Sequence, residues 1–178
     1  MTALRCTAKL LKAMKATPVA NPAPATSRLG DWHANLIRVS RTQLVIAVND
    51  ATRFGIVVDA APYADIPLRI AQRLFNTLQF IGVPADLAAE EAHTMESMRL
   101  AATNSKSVLG TLNQYTFEVE LDLRERLAFS AVALTQRLTS TIVCNPKHIG
   151  APTDRVREAF GLPPIDWRKR AEPGAFRV

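Results

Sequence analysis

The sequence predicts an α+β fold: an antiparallel sheet of four or five strands, with a three-stranded meander at its centre, packed by several helices. Trp32–Val39, Gln43–Val48 and Arg53–Asp59 are β-rich runs separated by Ser40-Arg41-Thr42 and Asn49-Asp50-Ala51-Thr52, which have turn chemistry. Much of the remaining chain carries apolar residues at helical spacing. The composition, 178 residues with 48% hydrophobic and 21% charged, suits a core that needs neither metal nor disulfide, and excludes wholesale disorder and fibrous architectures. The expected organisation is one domain over 1–162 followed by an extended, flexible basic tail over 163–178. No apolar run approaches the roughly 18 to 20 residues that cross a bilayer, so a soluble protein without a membrane partner is expected.

Ala3–Cys6 reads as a strand, and Thr7 can cap a helix over 8–16 with Leu10, Leu11 and Met14 on one side. Pro18, Pro22 and Pro24 make 17–30 a loop. Leu44–Val48 is continuously apolar, as in a central strand covered on both faces, whereas Phe54, Ile56 and Val58 alternate onto one face. Asp65 and Pro67 open a helix whose apolar positions run from Ile70 to Ile81, and Gly82 stops it. Pro84 opens an acidic helix to about His93, and Ser97–Ala102 supplies another strand. Thr103 or Asn104 then caps a helical stretch through Val108, Leu112, Tyr115, Val119, Leu127, Ala131, Leu134 and Leu138, as one helix or as two broken near Leu121-Asp122. An irregular stretch over 139–152 precedes a short helix over 153–160 closed by Gly161.

The net charge is +6, which invites a nucleic-acid partner, but its placement matters more than its sum. Residues 1–30 hold five cations and no acid, 166–178 hold four cations and two acids, and the body between holds 13 cations and 14 acids. Lys9, Lys12 and Lys15, spaced by three, form a drifting basic stripe that is either a solvated face or a contact for a nucleic-acid backbone. The acid-free amino terminus also resembles an organelle transit peptide, although it reads well as folded structure. Cys6 and Cys144 have no metal or redox spacing and are expected as two buried thiols in a reducing compartment.

The string Trp32-His33-Ala34-Asn35-Leu36, then Val48-Asn49-Asp50-Ala51-Thr52-Arg53-Phe54, then Asn104-Ser105-Lys106-Ser107-Val108-Leu109-Gly110 with Asn113, resembles a bacterial family of unknown function over roughly 1–138. Lys106 stands where that family leads one to expect Arg, and Gln114 where it leads one to expect Asp. The resemblance implies a bacterial, cytoplasmic protein with a folded amino terminus, and implies no activity or substrate.

No Walker loop, GxGxxG, HExxH or GxSxG is present, and His33, His93 and His148 lack metal-ligand spacing, so no cofactor and no metal is expected. The acidic groupings Glu90, Glu91 and Glu96, or Glu118 and Asp122, read as solvated faces rather than cation sites. If Val39 opposes Gln43, pairing puts Asn35 opposite Ala47 and His33 opposite Asn49, gathering His33, Asn49, Asp50 and Arg53 at one end of the meander with Asn35 one pleat further in. A neutral imidazole beside a carboxylate and a guanidinium can bind an anion or act as a general base; the plainer reading is a self-bonded turn. Asn104, Ser105, Lys106 and Ser107 at a helix start suit an anion or simply cap the helix, and Asn113 lies on the same helix. Two functions follow. One is a non-catalytic binding or regulatory module contacting protein or nucleic acid. The other is a small enzyme or anion-binding domain using His33, Asp50 and Arg53, with Lys106 as a further candidate.

Overall fold

A computed structural model describes residues 2–166. Within them lie β1 (Ala3–Cys6), α1 (Ala8–Met14), β2 (Trp32–Val39), β3 (Thr42–Asn49), β4 (Gly55–Asp59), α2 (Ile66–Phe80), α3 (Ala85–Glu96), β5 (Arg99–Ala102), α4 (Lys106–Arg124), α5 (Ala131–Leu138) and α6 (Pro152–Ala159). The fold is α+β, with one five-stranded sheet in the order β4-β3-β2-β1-β5. The expected tail falls mostly outside the described residues.

The sheet is mixed, which corrects the wholly antiparallel expectation. β2–β3–β4 is the expected antiparallel meander, but β1 runs parallel to both β2 and β5. A helix and a long loop separate Cys6 from Trp32, enough chain to return to the starting end of the sheet, which is what a parallel neighbour requires.

Strand alternation divides the core into two layers. Leu4, Cys6, Trp32, Ala34, Leu36, Val45, Ala47, Ile56 and Val58 pack with α1, α2, α3 and α6 on one face. Ile37, Leu44, Ile46, Val48 and Val57 pack with α4 and α5 on the other. Burying a side chain of this size is worth roughly 1.5 to 3 kcal/mol. β3 is therefore covered on both sides, as its unbroken apolar run requires. Phe54, Ile56 and Val58 share one face as expected, although β4 begins only at Gly55. Arg53 has φ +61°, and the 49–54 turn is closed by Arg53 N–H donating to the Asn49 carbonyl and Asn49 N–H to that of Phe54.

Several boundaries move. Thr7 sits at the start of α1 without capping it, its hydroxyl going to Asn35 instead. The cap of α4 is Ser105, whose Oγ accepts from Val108 N–H at 3.3 Å, not Thr103 or Asn104. The long helical stretch does break in two, but after Arg124, and Leu127 in the connection is 56% exposed rather than core. Cys6 is buried and burial pushes its thiol up to about 12, whereas Cys144 is exposed, not buried. Gly82, at φ +87°, ends the α2 turn as expected; a Cβ there would lie 2.7 Å from Arg157 Nη1, which is held by the Ile81 carbonyl.

Candidate functional site

The register of the β2–β3 hairpin decides which polar side chains meet. Its turn holds two residues, Ser40 and Arg41, not three, and Ser40 takes φ +54°. Val39 consequently opposes Thr42, Asn35 opposes Ile46, His33 opposes Val48 and Asn49 opposes Trp32. This is one residue away from the expected pairing, and a slip of one moves a side chain to the other face of its partner strand. His33 and Asn35 do share a face, the one under α4, but Asn49 points to the opposite layer with Trp32.

Asn49 is fully engaged there. Its Nδ2 donates to the carbonyls of Leu29 (2.8 Å) and Asp31 (3.2 Å), and its Oδ1 accepts from Thr52 N–H (2.9 Å) and Thr52 Oγ1 (2.8 Å). Those bonds tie the 17–31 loop to the 49–54 turn. Asp31 reaches the other way, accepting from Ala3 N–H and from the Arg5 guanidinium at 2.9 Å.

On the α4 side the arrangement is looser. Arg53 Nη2 donates to Ser107 Oγ at 3.2 Å and Nη1 to Asp50 Oδ1 at 3.4 Å, so the β3–β4 turn is joined to the first turn of α4. Tyr115 Oη donates to the Arg53 carbonyl at 2.8 Å and fixes that left-handed residue. His33 is wholly buried, with Nε2 3.8 Å from Asp50 Oδ1, beyond hydrogen-bond reach. Burial lowers the pKa of the imidazole; Asp50 opposes this, while Arg5 and Arg53 reinforce it. The ring is therefore neutral at pH 7.

Seven buried side-chain polar atoms among the described residues lack a partner, and His33 Nδ1, His33 Nε2, Arg53 Nε and Thr111 Oγ1 are four of them. All four belong to the layer between the sheet and α4, where Thr111 is buried one helical turn beyond the exposed Ser107. An orphaned buried polar group costs about 1 to 3 kcal/mol, so such a concentration at one interface marks a place equipped for more hydrogen bonds than the chain itself supplies.

The Trp32–Leu36, Val48–Phe54 and Asn104–Gly110 segments thus converge on one corner of the fold. The family model described as "Domain of unknown function (DUF6933)" matches residues 3–155. The chain belongs to this family. The sequence resemblance to a family of unknown function is borne out, and the match extends beyond the expected 1–138. No curated protein matches the chain.

In this DUF6933 domain the remaining candidates are dispersed. Asn35 Oδ1 accepts from Thr7 Oγ1 at 2.9 Å, beside the cluster. Asn104 is exposed and lines a pocket of about 590 Å³ with Arg5, Asn21 and Thr103, next to the strand position of His33. Lys106 and Asn113 are exposed, and Gln114 bonds Glu118 at 2.9 Å. Glu91 is buried and accepts from the N–H groups of Arg28 and Leu29, so it braces the long loop. Glu118 accepts from Thr141, and Asp122 is paired with Arg137 at 2.6 Å. Lys9 and Lys12, but not Lys15, line a second open pocket of about 580 Å³.

Arg5 and Thr111 escape a sequence reading, whereas Ser107 belongs to the helix start that the sequence does single out. Arg5 belongs to the site only because β1 runs parallel beside β2, and Thr111 only because α4 lies across the meander. A threonine placed among the apolar positions Val108, Leu112 and Tyr115 of the same helix is the signal that could have found Thr111.

Proposed function

We propose that this DUF6933 chain is a non-catalytic binding module for a small anion such as phosphate or a carboxylate, held between the first turns of α4 and the His33–Arg53 corner of the sheet. The observation that carries this is the buried His33 imidazole with neither nitrogen partnered, beside an Arg53 guanidinium whose Nε is also unpartnered. Arg53 supplies the positive charge, and the Lys106 and Ser107 N–H groups at the start of a 19-residue helix add a favourable dipole. Binding is favoured over catalysis because no acid–base pair is assembled at the corner: His33 Nε2 stands 3.8 Å from Asp50 Oδ1, beyond the reach over which the carboxylate could orient the ring or exchange a proton with it. We extend the reading to one domain over 1–162 in a bacterial cytoplasm. Its supports are the sheet shared by β1 to β5 and the motif resemblance.

Calorimetric titration with inorganic phosphate and with acetate tests the site. Either anion should bind the wild-type chain and bind at least roughly tenfold more weakly to Arg53→Met, the loss expected for one charge-assisted bond. Absence of binding by both anions, or equal binding by the variant, would overturn the proposal. So would a high-resolution structure with phosphate present that shows only water against His33.

A further inference from the structure

Lys9 and Lys12 lie one helical turn apart on α1, and the register of β2 brings Arg38 to the same side of the sheet, two residues beyond Leu36. Together with Ala13, Leu36, Gln43 and Tyr63 they line an open pocket of about 580 Å³. Pockets of this size accommodate small organic ligands. Its lining holds three cations and no acid, and the side chain of none of the three makes an ion pair or hydrogen bond with a described residue. Elsewhere the pattern differs: Arg5, Arg53, Arg124, Arg137 and Arg155 each face a carboxylate. Like charges collected around a concavity without counter-charge raise the local potential for an anion.

The floor is organised as well as charged. Tyr63 Oη donates to Gln43 Oε1 at 2.5 Å, which orients the Gln43 amide and leaves its NH₂ as a further donor. Leu36 is buried and Ala13 half-buried, an apolar floor beneath the cationic rim. Arg41, exposed in the hairpin turn that follows Arg38, adds a fourth cation outside the pocket.

We infer that this pocket binds a phosphate ester, with Lys9, Lys12 and Arg38 on the phosphate oxygens and the Gln43–Tyr63 pair against the attached organic group. Arg supplies a two-pronged contact to phosphate and Lys point charges, so the set is chemically suited to that group. The site is independent of the His33 corner. It lies under α1 on the opposite face of the sheet, and Arg38 is five strand residues, about 16 Å, from His33.

The phosphate can be carried by a free nucleotide or by a nucleic-acid strand, and one experiment separates them. Adenosine 5′-monophosphate and a short single-stranded oligothymidylate are titrated into the full chain, wild type and variants, across a range of salt concentrations. Lys12→Gln and Arg38→Gln, both at exposed positions, should each weaken binding by at least roughly tenfold, and Lys15→Gln should leave mononucleotide binding unchanged. A free nucleotide as ligand gives saturable mononucleotide binding with a shallow salt dependence. A strand gives tighter oligonucleotide binding with a log–log salt slope of roughly −0.7 per phosphate contacted. Failure of both probes to bind, or binding that Lys12→Gln and Arg38→Gln do not weaken, would refute the inference.

Discussion

Asn49 and His33 sit on adjacent strands at one corner of the sheet, both 0% exposed, and they face opposite layers. Asn49 makes four side-chain hydrogen bonds, two donated and two accepted, whereas neither nitrogen of His33 makes one. Burial alone therefore does not tell a structural polar residue from a residue held ready for something else. A polar group whose bonds are complete stabilises the fold; one whose bonds are missing costs stability, and its retention needs another explanation.

The largest effect should come from removing the bonded partner. Asn49→Ala strips bonds from the Leu29 carbonyl and from Thr52 N–H, both in buried surroundings, and should destabilise the fold by about 3 kcal/mol or more in chemical denaturation. His33→Phe keeps an aromatic ring and deletes two orphaned atoms, so its stability should lie within about 1 kcal/mol of wild type or above it. If His33→Phe proves as damaging as Asn49→Ala, the contrast between the two faces collapses, and His33 must have partners of its own.

A second, smaller effect tests how tightly α4 is fixed over that corner. A Cβ at Gly55 would come within 2.5 Å of Tyr115 Cε2 and 3.3 Å of Leu138 Cδ1. Tyr115 cannot swing aside without breaking its bond to the Arg53 carbonyl, and its hydroxyl pKa is raised by burial in the same packing. Gly55→Ala should cost about 1 to 3 kcal/mol as an overpacked site and should also weaken anion binding at Arg53. A neutral result would mean that α4 rides loosely on the sheet.

The contrast between Asn49 and His33 was only half legible in the sequence. The strands, the meander, the order of the helices and the two-sided burial of β3 follow from local patterns of apolar residues and turn formers, which act over a few residues. Turn length is harder to read. Whether Ser40-Arg41-Thr42 closes as two residues or three depends on a single positive φ at Ser40, a residue with no strong preference for it, and that one residue decided the face of Asn49 relative to His33. The parallel placement of β1, and with it Arg5, depends on where a 17–31 loop returns the chain, and no short-range signal carries that. The division of the basic stripe is likewise invisible in its three-residue spacing. Lys9 and Lys12 line one pocket with Arg38 on the same side of the sheet, while Lys15, at the left-handed end of α1, does not join them.

Acid titration probes the same corner through charge. The folded-state pKa of His33 is depressed, so as pH falls below about 6.5 the unfolded chain takes up a proton that the fold resists, and stability declines by up to roughly 1.4 kcal/mol per pH unit until the imidazole itself titrates. Glu91 has the opposite sign. Burial raises its pKa against the opposing backbone bonds, so its contribution is complete at low pH and is lost as pH rises through the raised value. Stability measured between pH 7 and 4.5 should thus fall less steeply in His33→Phe and more steeply in Glu91→Gln than in wild type. Parallel curves for all three would show that neither group is coupled to folding.

The smallest change in stability should accompany the sharpest diagnostic of the corner. Asp50 is 48% exposed and meets Arg53 only at 3.4 Å, so Asp50→Asn should alter stability by no more than about 0.5 kcal/mol. Asp50 is nevertheless the largest influence holding the His33 pKa up against burial, and Arg5 and Arg53 push in the same direction as burial. Removing that carboxylate charge should move the His33 titration, followed through its ring proton resonances, to still lower pH while the fold is unaffected. An upward shift would mean that the imidazole opens to solvent when Asp50 loses its charge, making the carboxylate a latch over His33. An unchanged titration would place Asp50 too far from the ring to matter, leaving Arg53 and the α4 N–H groups as the electrostatic surroundings of the buried imidazole.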